Sequence, residues 1–180
     1  VANPNYSYVY GNGMFSEAAG FGTVTATGQG NPNYAYLYSA SHATVLGDPS
    51  GSKLTSSGAS ISTHGFPQVY AVGASDGTDS ITLDSAGNKF VGSPLFSYVT
   101  DSQGNSSGTF IIGALYFASV TAQASTAGTD TAYFYSYAQN AFSGTPALSQ
   151  LSGSNSMFTN FSVAAAGYHS VVVWASGSGT

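Results

Sequence analysis

The chain has 180 residues, 5% of them charged and 42% hydrophobic, and carries a formal net charge of −5. Lys53 and Lys89 are its two certain cations, so no basic stripe exists to meet phosphates, and nucleic acid is excluded as a partner. No apolar run approaches the roughly 20 residues of a membrane-spanning helix, and the absence of cysteine excludes disulfide and thiol chemistry.

The first segment reads NPNYSYVY from Asn3, and NPNYAYLY follows from Asn31. Two sharper copies open at Thr78 and Thr129, as TDSITLDSAGNKFVGSP and TDTAYFYSYAQNAFSGTP. Asp79 and Asp130 lie 51 residues apart, and the same interval separates Val69 from Val120 and Val120 from Val171. A period near this length marks stacked or solenoidal repeats. Residues 1–180 thus form one array: a short copy at 1–30 and full copies at 31–77, 78–128 and 129–180. The short copy keeps both ends of the unit, with Ala18 to Val24 matching Ala165 to Val171, but lacks the middle stretch that carries GSP or GTP. Loss of half a unit without damage to its ends predicts two coils of about 25 residues per full repeat. The expected fold is all-β, a right-handed parallel β-solenoid of about seven coils.

Strand side chains alternate between faces, so parity sorts the aligned copies. One parity carries Ser7, Val9, Ala35, Leu37, Ile81, Leu83, Ala132 and Phe134 in the opening segments, and Val24, Ala26, Val69, Ala71, Val120, Ala122, Val171 and Val173 in the closing ones. These are assigned to the core. The outward parity of the opening segments carries Tyr6, Tyr8, Tyr10, Tyr34, Tyr36, Tyr38, Tyr133 and Tyr135. Stacked about 4.8 Å apart, these rings predict an aromatic ladder, a candidate surface for lateral packing or for sugar rings. Thr23, Thr25 and Thr27 suggest an ice-binding array, but Gln68, Tyr70 and Val72 at the equivalent positions spoil it.

Asn5, Asn33, Asp79 and Asp130 share one corner position, where a side-chain oxygen can accept a hydrogen bond from the backbone amide two residues on and hold the turn. A calcium site is the weaker reading of the same corner, through Asp76, Asp79 and Asp84, because the glycine- and aspartate-rich nonapeptide of calcium-binding β-rolls is absent. Gly73-Ala74-Ser75-Asp76-Gly77 matches the nucleophile-elbow pattern, but the equivalent loops read QASTAG and WASGSG, so Ser75 is one version of a repeating turn. His42, His64 and His169 lack metal-ligand spacing. No catalytic role and no cofactor are expected.

The segments Gly77 to Pro94 and Gly128 to Pro146 resemble the long Gly-, Thr- and Asp-rich repeat arrays of very large bacterial surface and extracellular proteins, those of the GTDTAxLYDSAGNDxF type in planctomycete surface proteins in particular. The resemblance implies an extracellular or cell-surface β-solenoid with a structural or adhesive role. The expected partner is the chain itself, through axial continuation and lateral contact, with glycans as the alternative partner of the tyrosine face.

Overall fold

A computed structural model of the chain describes residues 6–11, 14–19, 21–29, 33–74, 76–84, 88–101, 110–124, 130–137, 140–145 and 147–176. Among the described residues there are eighteen strands and no helix. The short copy supplies β1 (Tyr6–Gly11), β2 (Met14–Ala19) and β3 (Thr23–Thr27). The first full repeat gives β4 (Tyr34–Tyr38), β5 (Thr44–Gly47), β6 (Gly51–Ser56), β7 (Ala59–His64) and β8 (Gln68–Val72). The second gives β9 (Ser80–Asp84), β10 (Asn88–Gly92), β11 (Phe96–Asp101), β12 (Ile111–Leu115) and β13 (Ser119–Gln123). The third gives β14 (Thr131–Tyr137), β15 (Ala141–Gly144), β16 (Leu148–Gly153), β17 (Phe161–Ala166) and β18 (Ser170–Ser176).

Each full repeat is an opening strand, a three-stranded antiparallel meander and a closing strand. Opening and closing strands of one repeat pair in parallel, as β4 with β8, β9 with β13 and β14 with β18. The meander goes to the opposite sheet, where its third strand pairs in parallel with the closing strand of the preceding copy. Its first strand pairs in parallel with the opening strand of the following repeat, as β5 with β9 and β10 with β14. Successive repeats therefore exchange sheets. The result is a seven-stranded sheet, β18-β14-β10-β11-β12-β8-β4, facing a nine-stranded sheet, β15-β16-β17-β13-β9-β5-β6-β7-β3.

The fold is the β-solenoid that the repeat spacing predicts, but it has about three turns rather than seven single coils. The meanders account for the difference. Each adds three strands to one sheet within a single turn, so the stack reaches seven and nine layers with fewer revolutions. Parallel and antiparallel strands share the same two-residue alternation, and parity alone cannot tell a new coil from a returning hairpin.

Local chemistry sets the first meander turns. Asp48 accepts a hydrogen bond from the Ser50 amide (2.6 Å). Ser93 Oγ donates to the Phe96 carbonyl (2.6 Å), and Thr145 Oγ1 donates to the Leu148 carbonyl (3.1 Å). These are the second residues of the GDP, GSP and GTP triplets, short polar side chains that close a tight chain reversal. Between β6 and β7 the reversal uses Gly58 at φ 78°, a conformation open to glycine at little cost.

The core lies between the two sheets. Leu37, Leu54, Ile61, Ile81, Leu83, Phe90, Ile112, Phe134 and Leu151 are fully buried in it, each worth about 1.5–3 kcal/mol in removed apolar surface. Phe90 meets Phe134 edge-on at 5.8 Å. Of the residues assigned inward by parity, Ser7, Ala35, Val69, Ala71, Val120, Ala122 and Ala132 are buried as well. Four depart from that expectation. Val24 and Ala26 are half-buried, while Val171 and Val173 are 36% and 37% exposed; among the described residues β3 and β18 are terminal strands of their sheets. The Val9 side chain lies outside the described residues.

Candidate functional site

Three surfaces stand out, and the sheet exchange decides what each displays. Outward residues of β4, β8, β12, β11, β10, β14 and β18 fall in register across the seven-stranded sheet. Its central row runs Tyr36, Tyr70, Gly113, Tyr98, Val91, Tyr133, Val172. A neighbouring row brings Tyr38, Val72, Leu115 and Phe96 side by side and, across the sheet, Tyr135 beside Trp174.

The rings stack in small groups rather than in one continuous ladder. Tyr36 stacks on Tyr70 with centroids 5.4 Å apart, Phe96 on Tyr98 at 5.3 Å, and Trp174 on Tyr133 at 5.3 Å and Tyr135 at 4.8 Å. Lys89 Nζ sits 4.6 Å from the Tyr133 ring centroid, a cation over an aromatic face. Gly113 makes the middle of the array possible, because a Cβ there would stand 2.8 Å from the Tyr70 ring and 2.9 Å from that of Phe96. Burial, and then the neighbouring Tyr36 and Tyr34 hydroxyls, push the Tyr70 hydroxyl above its ordinary ionisation range.

Between these rings is a cleft of about 450 Å³ lined by Tyr36, Tyr38, Tyr70, Val72, Phe96, Leu115 and Tyr116. Tyr116 is held at φ 61°. Fifty-one residues to either side, the same turn holds Gly65 at φ 68° and Gly167 at φ 74°. A side chain at a left-handed position costs about 1 kcal/mol or more where glycine costs nothing, so the second repeat keeps a strained residue that places a ring at the cleft. Phe96, Tyr98, Leu115, Tyr116 and Trp174 were outside the expected tyrosine set. The departure from Gly at the 51-residue spacing was the signal for Tyr116.

Of the tyrosines expected on an outer face, Tyr34, Tyr36, Tyr38 and Tyr135 are exposed and Tyr133 is half-buried. Tyr8 is half-buried on β1, and the side chains of Tyr6 and Tyr10 lie outside the described residues. Gln68, Tyr70 and Val72 belong to this aromatic sheet, whereas Thr23, Thr25 and Thr27 belong to the other.

The nine-stranded sheet carries hydroxyls instead. Thr23, Ser60, Thr55, Thr44, Ser80, Ser119, Ser162 and Ser152 stand in register on eight adjacent strands. The next row along is broken by Lys53, Leu46 and Ala164, which leaves one hydroxyl row rather than the paired lattice an ice surface would require.

Asp79 is buried in the corner between repeats. Its carboxylate accepts hydrogen bonds from the Ala43 amide (2.7 Å) and the Ala74 amide (2.5 Å), and from the Ser39 hydroxyl. Its partners are thus groups of the preceding repeat rather than the amide two residues on, and it ties the loop after β8 to the loop before β5. Asp130 is equally buried, and its carbonyl accepts the His169 and Ser170 amides. Asn33 donates through Nδ2 to the Gln29 carbonyl (2.7 Å), and Asn5 lies outside the described residues. Asp76 is exposed and accepts from the Thr78 amide and hydroxyl (3.0 and 2.8 Å). Hydrogen bonds from Ser41 and then Thr78 hold its carboxyl below the usual range. Asp84 is exposed at the end of β9. Among the described residues no three acidic or histidine side chains gather as a metal site. Ser75 lies outside the described residues, and the segment containing it leads from β8 into another strand, β9, where a nucleophile elbow would enter a helix.

The third surface is the end of the stack formed by β18 and β15. Val171, Val173, Phe142, Tyr168 and His169 line an open groove of about 570 Å³ there. No protein-family model, no curated protein and no solved structure matches this chain.

Proposed function

We propose that this chain is a structural repeat protein, a β-solenoid segment of an extracellular fibre, stalk or large surface adhesin, with no catalytic role and with units that continue along the solenoid axis. One comparison supports this reading. Val69 and Val120 sit at 4% and 3% exposure because β12 and β17 cover their strands, whereas the equivalent Val171 is 36% exposed on β18. The inward face of β18 has the pattern of an interior strand, and among the described residues no strand forms its next layer. Low charge on both lateral faces fits a stack whose equivalent positions repeat every few ångströms, since like charges at that spacing would repel.

Negative-stain microscopy of the purified chain over a rising concentration series tests the reading. Rods that lengthen with concentration are expected, and Val173→Asp should abolish them while leaving the β-sheet circular dichroism of the single unit intact. Discrete 18.2 kDa particles at every concentration would count against it.

A second reading, carbohydrate binding on the aromatic face, is favoured by the strained Tyr116 beside the ring-lined cleft, since strain of this kind persists where a side chain is needed. Sugar rings stack on exposed aromatic faces of this type. Tyr116→Gly is expected to raise stability by about 1 kcal/mol, by the left-handed penalty it removes, and to lower retention on insoluble cellulose or chitin several-fold. Unchanged retention would leave the ring without a binding role.

A further inference from the structure

The internal pairing rules specify which strand belongs on the open end, and the short copy contains it. In every described junction a closing strand pairs in parallel with the third meander strand of the next repeat: β3 with β7, β8 with β12 and β13 with β17. β18 is the closing strand that has no such partner among the described ladders. Conversely, β2 has the sequence position of a third meander strand. Met14–Ala19 aligns with Phe161–Ala166 when Ala18 is matched to Ala165, and β2 is followed by a closing strand, β3, as β17 is by β18. Among the described ladders β2 pairs only with β1, antiparallel, as β17 pairs with β16.

We infer that β2 of a second copy of this chain docks in parallel on β18, so that copies join head to tail with the β1–β2 hairpin completing the junction. This deepens the proposed axial continuation and rests on it. Strand counts support the fit. Full repeats give two strands to one sheet and three to the other, alternately, and with β3 this leaves seven against nine. The hairpin's two strands make nine in each. Both sheets of a joined copy then advance by the same height, and β3 of the second copy meets the free edge of β15 as β2 meets β18. Unequal counts would open a gap in one sheet at every junction. A head-to-tail contact of this kind uses two different surfaces and does not close on itself, so it builds a filament.

Transferring the register of β13 on β17, where Thr121 opposes Ala164, places Val172 of one copy opposite Glu17 of the next. Parallel neighbours at about 4.8 Å lie within disulfide range. Two measurements test the inference. The unmodified chain should give filaments with an axial repeat of roughly 43 Å, nine strand spacings per copy. The double variant Glu17→Cys/Val172→Cys, oxidised, should form a ladder of covalent multimers on a non-reducing gel, well above either single variant. Filaments with a different axial repeat and no cross-linking above the single variants would overturn this strand pairing and leave axial assembly standing. A chain that stays single at all concentrations, in both unmodified and double-variant form, would overturn both.

Discussion

Replacing Leu83 by Asp is expected to abolish the folded state of the middle repeat. Leu83 is fully buried on β9, between Gly47 on β5 and Ala122 on β13. The fit is tight, since a Cβ on Gly47 would stand 3.0 Å from Leu83 Cδ2. A carboxylate at that point would be buried in the hydrophobic core, and its effective burial penalty is several kcal/mol. Loss of the leucine contacts adds about 2–5 kcal/mol. The sum is comparable to the whole stability of a domain of this size, about 5–15 kcal/mol. Circular dichroism of Leu83→Asp should show no cooperative thermal transition. The milder Leu83→Ala should keep the fold and lose about 2–5 kcal/mol in denaturant melts, and a loss below 1 kcal/mol would show that the inter-sheet core is not close-packed there.

Asp79→Ala carries the second large expectation. The substitution leaves the buried Ala43 amide and the Ser39 hydroxyl without the carboxylate that accepts from them, while the Ala74 amide keeps Ser39 Oγ at 2.8 Å as its acceptor. Each unmet donor costs about 1–3 kcal/mol, so a loss of about 3 kcal/mol is expected, a fall in melting temperature of roughly 6–12 °C for a chain of this size. Asp79→Asn keeps an acceptor in place and should recover part of it. Since the carboxylate, from the second full repeat, holds two loops of the first, proteolysis should cut first within 39–43 or 73–79 in the alanine variant. Equal melting temperatures for Asp79→Ala and the parent chain would remove the corner from the list of what holds repeats together.

Much of the core is legible in the sequence, because burial in a strand depends on alternation and a 51-residue repeat shows the alternation several times over. Ile81, Leu83, Ala132 and Phe134 follow from that alone. The path of the chain does not. A strand that continues the coil and one that folds back beside it present the same pattern, so GSP and GTP stand out in the sequence as a recurring stretch but not as the hinges of meanders. Aligned positions also land on opposite sides of the molecule. Tyr70 and Thr121 are equivalents in sequence, yet one belongs to the aromatic sheet and the other to the hydroxyl sheet. Sequence alignment of the copies therefore superposes two surfaces, so that separate groups of rings read as one ladder and a hydroxyl row reads as interrupted. Exposure at Val171 and Val173 depends on what lies above the last layer, and no local pattern encodes that.

The exchange of sheets between repeats also governs how such an array can grow in evolution. Duplicating one 51-residue unit reverses the sidedness of everything after it, so that a ring meant for the aromatic wall emerges among hydroxyls, and it lengthens one wall by a strand more than the other. Duplicating two adjacent units restores both. Arrays of this architecture should accordingly gain and lose repeats in pairs, unless a truncated unit absorbs the odd strand, and gene variants that differ by a single repeat should show compensating changes at outward positions along all the repeats that follow.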